Sequence, residues 1–159
     1  MPVIVDKDPA VIERVAAMLP PGAHGVDSAE TMHAWLSRHT SEYAVVCGPS
    51  MALTDAIDIA ESMRYTRPST SVILVRDEGD TEVLYKAMQA GARDVVQSDD
   101  ANALTKSLER AEQYWRALHG NSANALVKDG TIVTVFSPKG GVGKTTTSVN
   151  LALALADNG

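Results

Sequence analysis

Ser71-Val72-Ile73-Leu74-Val75-Arg76-Asp77-Glu78-Gly79-Asp80-Thr81-Glu82-Val83-Leu84-Tyr85-Lys86-Ala87-Met88-Gln89-Ala90-Gly91-Ala92-Arg93-Asp94-Val95-Val96 reads as strand, helix, strand. The run 71–75 is apolar throughout rather than alternating, the mark of a strand buried on both faces. Arg76–Asp80 reads as a polar loop. Thr81–Ala90 reads as a helix closed by Gly91, which supplies the left-handed residue a C-cap prefers. Asp94–Val96 is the next strand. Two buried strands joined through a helix must run parallel, because a tight hairpin would make them antiparallel.

The same alternation extends toward the N-terminus. Val3–Val5 is a short buried strand, and Asp8-Pro9 is an N-cap with proline at the first helical position. The helix that follows runs to about Leu19, with Val11, Ile12, Val15 and Leu19 inward, and Pro20-Pro21-Gly22 breaks it. A weak strand is expected near Ala23–Val26. Ser28 caps a helix to about His39, with Thr31 where a capping box has Glu or Gln. Tyr43–Cys47 is the third strand, and Thr54–Tyr65 a helix that ends before Arg67-Pro68. Toward the C-terminus, Ala101–His119 carries Leu104, Leu108, Ala111, Trp115 and Leu118 at helical spacing. Five βα units with short connections specify an α/β fold, a parallel sheet with helices on both faces. Residues 1–119 form this domain, and Gly120–Gly130 reads as a linker.

Composition fits a soluble globular chain, with 45% hydrophobic and 21% charged residues over 159 positions. The net charge is −6, and eighteen of the twenty acidic residues fall in the first 120 positions. Such a surface repels phosphate backbones, so no nucleic acid is expected on the first domain. Cys47 is the single cysteine, which excludes an internal disulfide. No leader peptide and no membrane-spanning run is read, so a cytoplasmic location is expected.

The second domain opens at Thr131. Thr131–Phe136 reads as a strand feeding Ser137-Pro138-Lys139-Gly140-Gly141-Val142-Gly143-Lys144-Thr145-Thr146-Thr147. A helix follows, with Val149, Ala152, Leu153 and Ala156 on one face. Strand, glycine turn and helix start together are the context of a phosphate-binding loop. Gly140, Gly141 and Gly143 are expected at positive φ, bringing backbone N–H groups against phosphate oxygens. Val142 and Thr146 complete the cradle, Lys144 reaches the β- and γ-phosphates, and the Thr145 hydroxyl ligates Mg²⁺. The ordinary loop has glycine where this chain has Pro138. Only one strand, one loop and one helix of a nucleotide-binding domain are present, so residues 131–159 read as the beginning of a longer domain. By themselves they bury too little to stay ordered, and they are expected neither to hydrolyse ATP nor to bind it tightly.

Lys139-Gly140-Gly141-Val142-Gly143-Lys144-Thr145 resembles the deviant Walker A of the ParA/MinD ATPases. That resemblance implies ATP and Mg²⁺ as cofactors, and Lys139 as a signature lysine that crosses to the nucleotide of a partner subunit. Leu84–Val96 is similar to the α4–β5 segment of response-regulator receiver domains, and residues 1–119 fit that (βα)5 plan. A receiver requires an aspartate at the end of its third strand, two acids after the first, Thr or Ser after the fourth and Lys after the fifth. Here Asp6 matches one acid, Lys7 stands at the second, and strand three ends Val46-Cys47-Gly48-Pro49. Arg76 holds the Thr/Ser position and Ser98 the lysine position. Without a carboxylate nucleophile no acyl phosphate forms, and Lys7 repels a cation. Asp6 and Asp8 are expected as a solvated strand end and a helix cap, with residual metal ligands as the alternative.

An atypical receiver followed by a deviant Walker A domain resembles the CpaE/TadZ proteins of Flp (tight adherence) pilus assembly. This implies an ATP-binding localisation factor for the pilus secretion machinery, recruited to a cell pole. The alternatives are a septum-site-determining protein working with division proteins, a partition-type ATPase and, third, a phosphorylatable receiver. A homodimer is expected through the surface formed by Thr81–Ala90, Asp94–Val96 and Ala101–His119, with Tyr114 and Trp115 as apolar anchors. Charged groups on that surface, including Arg93, Lys106, Arg110 and Arg116, would face Asp94, Asp99, Asp100, Glu109 and Glu112 across a two-fold axis. His24, His33, His39 and His119 lack metal spacing. The acidic run Asp77–Glu82 is explained by solvation and helix-dipole compensation.

Overall fold

The computed structural model describes residues 1–119, 134–136 and 138–156, the side chains of 155 and 156 excepted. The chain forms two compact units, Met1–Asn124 and Ala125–Gly159. In the first, the order is β1 (Pro2–Val5), α1 (Pro9–Ala17), β2 (His24–Val26), α2 (Ala29–Arg38), β3 (Ala44–Cys47), α3 (Leu53–Thr66), β4 (Ser71–Arg76), α4 (Thr81–Ala90), β5 (Asp94–Gln97) and α5 (Ala101–His119). The second contains α6 (Lys144–Ala156). Residues 120–130, read as a linker, lie outside the described residues.

The five strands pair in parallel in the order β2-β1-β3-β4-β5, so the chain reverses its winding between β1 and β3. This is the doubly wound (βα)5 plan of the receiver resemblance. Alternation along each strand divides the core between the two faces of the sheet. Val3, Val5, Val45, Cys47, Val72 and Leu74 pack with Met32, Leu36, Ile59 and Met63 under α2, α3 and α4. Ile4, Val46, Ile73 and Val75 pack with Val11, Val15, Leu104, Leu108 and Ala111 under α1 and α5. Both faces being covered, every residue of β1, β3 and β4 is buried, hence the unbroken apolar runs.

Local chemistry places the helix ends. The Asp8 carboxylate accepts from the Ala10 N–H at 2.9 Å with Pro9 at the first helical position. Ser28 Oγ accepts from the Thr31 N–H at 3.3 Å, while the Thr31 hydroxyl donates to Asp27 at 3.0 Å, so the N-cap bond forms but Thr31 does not supply the reciprocal bond of a capping box. Gly91 closes α4 at φ +102°.

Several expectations change. Arg76 is the last residue of β4 and is buried, not part of a loop. Leu118 is exposed although it continues the inward face of α5, because that helix outruns the sheet it packs on. Trp115 packs against the core and Tyr114 leans outward. In the second unit Val149 and Leu153 are exposed, since no described element of that unit covers the apolar face of α6. Residues 134–136 are not in a strand and 131–133 lie outside the described residues, so the strand expected there is not seen. A strand needs a neighbour to satisfy its backbone, and none of the described residues pairs with 134–136.

Candidate functional site

The phosphate loop is built by backbone geometry. Gly141 and Gly143 stand at φ +71° and +77°, where a side chain is strained, while Gly140 does not share the positive φ expected of it. A Cβ at Gly140, Gly141 or Gly143 would meet nothing within 4 Å, so the concave side of the loop is open. Helix α6 begins at Lys144, and the Thr147 N–H donates to the Gly143 carbonyl at 2.9 Å. The first-turn amides before it face out of the helix end. Lys144 Nζ donates to the Lys139 carbonyl at 2.8 Å, folding the side chain over the loop. Thr145, Thr146, Val142 and Lys139 are exposed around it. This donor set fits a nucleotide's phosphates: paired positive φ, open space, helix amides and one ammonium.

The second constellation sits at the C-terminal ends of β1, β3 and β4, the switch point where ligands of doubly wound sheets bind. Asp6 is fully buried, not the solvated acid expected from its position. Its Oδ1 accepts from the Asp8 N–H at 2.8 Å and its Oδ2 from the Ser50 N–H at 3.0 Å. Gly48 leaves room for that carboxylate, since a Cβ there would lie 2.1 Å from Asp6 Oδ2. Arg76 enters from β4, and its Nη1 donates to the Gly48 carbonyl at 2.7 Å and to the Val75 carbonyl at 3.0 Å. Lys7 turns away and pairs with Asp55 at 3.1 Å. Ser98 donates to Asp77 at 2.5 Å.

Burial pushes the Cys47 thiol up to about 12, the Arg76 charge opposing the shift and Asp6 adding to it. It stays protonated at neutral pH and is no nucleophile. Burial also pushes the Arg76 guanidinium below its ordinary value, against the pull of Cys47, Asp6 and Asp77. The divalent metal that a receiver implies does not fit these residues. Asp8 caps α1, β3 ends without a carboxylate, and the Arg76 guanidinium already places a positive charge at Gly48.

Sequence reasoning singled out Asp6, Lys7, Arg76 and Ser98 but missed that Arg76 and Asp6 meet around Gly48. The available signal was an apolar strand ending in arginine opposite a strand ending in glycine. Elsewhere, His24 and His39 both stack on Trp35, at 3.4 and 3.7 Å between ring centroids, and His119 stacks on Trp115. Among the described residues no three His, Cys, Asp or Glu side chains cluster as metal ligands, and no helix is long and apolar enough to cross a membrane.

Known proteins resemble the two units separately. The family model of the CobQ/CobB/MinD/ParA nucleotide-binding domain matches residues 133–159. No curated protein matches the chain. Among solved structures, the signal receiver domain of an HD domain-containing protein from Pseudomonas fluorescens Pf-5 superposes with a TM-score of 0.64 at 18% identity, covering 75% of this chain and 90% of that one. The receiver domain of NtrX from Brucella abortus gives 0.62 at 18% identity, over 71% of this chain and 98% of that one. An atypical orphan response regulator described as having a phosphorylation-independent regulatory mechanism gives 0.61 at 17% identity, over 72% and 98%. At these identities the likeness establishes the receiver fold of the first unit and nothing further.

Proposed function

We propose that this chain belongs to an ATP-binding protein of the ParA/MinD type whose receiver-fold unit is phospho-inert and acts in dimerisation or targeting. The observation that carries the reading is the Lys139–Thr145 loop, with Gly141 and Gly143 at positive φ directly before α6. Gly140–Gly143 amides and Lys144 would hold the phosphates, and Thr145 the Mg²⁺. A Mg²⁺ held there would supply charge neutralisation to the phosphates. Lys139 is assigned the cross-subunit role of the deviant loop. The biological role proposed is localisation or assembly of the Flp (Tad) pilus secretion machinery, with recruitment to a cell pole. Lys144 is retained here, which favours a nucleotide-binding member of that kind. A septum-site or partition role is the second reading, and the acidic first domain speaks against partition on DNA. Flanking genes for a secretion ATPase and prepilins are expected, and a division-gene neighbourhood would move the assignment to the septum.

The coupling of nucleotide to dimer is directly testable. In a polypeptide carrying the whole nucleotide-binding domain, Lys139→Ala is expected to keep ATP affinity within about threefold while dimer mass on adding ATP falls, because an exposed loop lysine binding in trans adds little in cis. ATP affinity by calorimetry and mass by light scattering measure the two effects. Equal loss of both would place Lys139 on the phosphates of its own subunit.

The receiver unit offers its own pairing surface. On α4, Thr81, Leu84, Tyr85 and Met88 fall at i, i+3, i+4, i+7, and the three large residues are 43%, 63% and 50% exposed. Three of the basic groups nearby are engaged within the chain. Arg110 pairs with Asp94 at 2.7 Å, Arg116 with Glu112 at 2.7 Å, and Arg93 lies 4.0 Å over the Tyr114 ring. The proposed homodimer therefore centres on the α4 stripe rather than on Trp115, which packs against the core. Sedimentation is expected to show a dimer at tens of micromolar, and Tyr85→Asp to weaken it by about a hundredfold. A monomeric parent chain would sink this interface. A mass change on adding beryllofluoride would overturn the claim that the unit is phospho-inert.

A further inference from the structure

The strand-end site of the first unit holds an unusual set of groups for a buried place. Asp6 is a fully buried carboxylate, and Arg76 is a guanidinium only 9% exposed. Arg76 spends Nη1 on two backbone carbonyls and leaves Nε and Nη2 buried without a partner. Such donors lose their water shell without full repayment in hydrogen bonds, so something else must offset the loss. The offset is electrostatic. Asp6, Asp77 and the Gly48 and Val75 carbonyls present negative charge or dipole toward the guanidinium. Among described residues the other cation at this end of the sheet, Lys7, is occupied at the surface by Asp55.

We infer that Arg76 is the resident cation of this site: its guanidinium stands in for a divalent metal, neutralises Asp6 from β4, and ties the end of β4 to the end of β3 at Gly48. Arg76 carries a charge that no change in metal concentration removes, because guanidinium stays protonated in proteins. Gly48 is the hinge of the design. Its missing side chain admits the Asp6 carboxylate from one side, and its carbonyl accepts Arg76 from the other. The β4–α4 connection leaves directly from Arg76. The domain is thereby held in one arrangement of β3 and β4 with neither metal nor phosphoryl group.

The test uses the whole chain without nucleotide, so that the phosphate loop contributes no metal binding. Amide resonances of Val5–Asp8 and Cys47–Ser50 are followed by NMR while Mn²⁺ is added to millimolar levels. The parent chain is expected to show no selective broadening there. Arg76→Met should broaden those resonances at Mn²⁺ concentrations roughly tenfold lower than any effect on the parent, since Asp6 and the Gly48 carbonyl then lack a cation. Arg76→Met should also lose about a hundredfold in the folding equilibrium constant, and Asp6→Asn a comparable amount. The double variant Asp6→Asn/Arg76→Met should lose far less than the product of the two, because neither charge is then left alone. If Arg76→Met does not fold by itself, the double variant must. Metal-selective broadening in the parent chain, independent losses in the cycle, or failure of the double variant to fold would each overturn the inference.

Discussion

Gly48→Ala is expected to destabilise the first unit by about 3 kcal/mol, the cost of overpacking added to disturbed buried hydrogen bonds. A methyl group at this position would lie 2.1 Å from Asp6 Oδ2 and 2.9 Å from its Cβ and Cγ. Contacts under 3.0 Å with a side chain's base cannot be relieved by moving only its tip. Two escapes exist. Asp6 can swing away, which abandons the Asp8 and Ser50 N–H groups inside a fully buried site. Alternatively β1 and β3 can part, which strains the bond from the Gly48 N–H to the Val5 carbonyl at 2.9 Å and their parallel pairing from Pro2↔Ala44 to Val5↔Cys47. Both fall on the centre of the sheet. Gly140→Ala is the matched control, since a Cβ there meets nothing and the backbone has no positive φ. Urea unfolding of the two variants should therefore differ by most of that 3 kcal/mol or so. A loss below about 1 kcal/mol for Gly48→Ala would mean that Asp6 has room to move, and the closed picture of the site would fail.

The fold was legible because its signals are local. Ser71–Val75 had to be a covered strand, Asp8-Pro9 and Ser28 had to start helices, and Gly91 had to end one, each from chemistry within a few residues. The faces of the helices were less secure. Periodicity identifies an apolar stripe on α5 and on α6, but whether a stripe is covered depends on what lies opposite. Leu104 and Leu108 find the sheet; Leu118, Val149 and Leu153 do not.

The strand-end site was legible only as a list of departures. Lys7, Gly48, Arg76 and Ser98 each fail the receiver pattern, and sequence counts those failures as losses. Space shows two of them to be one arrangement. Gly48 and Arg76 stand 28 positions apart, and only the β3–β4 register, Cys47 against Leu74, brings their strand ends together. Asp6 was misjudged for the same reason. A carboxylate after a strand usually reaches water, whereas here the Ser50 amide, 44 positions away, reaches it first. The glycine loop is the opposite case, since its turn lies within seven consecutive residues, although only Gly141 and Gly143 take the positive φ expected of all three glycines.

The largest expected loss of activity is at Lys144. In a polypeptide carrying the complete nucleotide-binding domain, Lys144→Ala should weaken ATP binding by about a hundredfold or more, the scale of one or two charge-assisted hydrogen bonds. The ammonium already has a partner, the Lys139 carbonyl at 2.8 Å, so binding exchanges a neutral acceptor for phosphate oxygens. Only the excess of the charged contact over the neutral one contributes to affinity. That excess is large because the β- and γ-phosphates meet few other cations in an open loop, while the glycine amides supply dipoles rather than full charge. The helix should survive the change, since alanine is the best helix former and Lys144 is the first residue of α6. Circular dichroism should therefore stay constant while affinity falls, which separates lost binding from lost folding. Gly143→Ala should fail differently. It forces a side chain into φ +77°, which distorts the turn and weakens binding with the lysine still present. Calorimetric titration of both variants with ATP and Mg²⁺ decides between them. Affinity retained within about threefold in Lys144→Ala, under conditions where Gly143→Ala has lost it, would show that backbone amides alone hold the phosphates. The role assigned to Lys144 would then have to be given up.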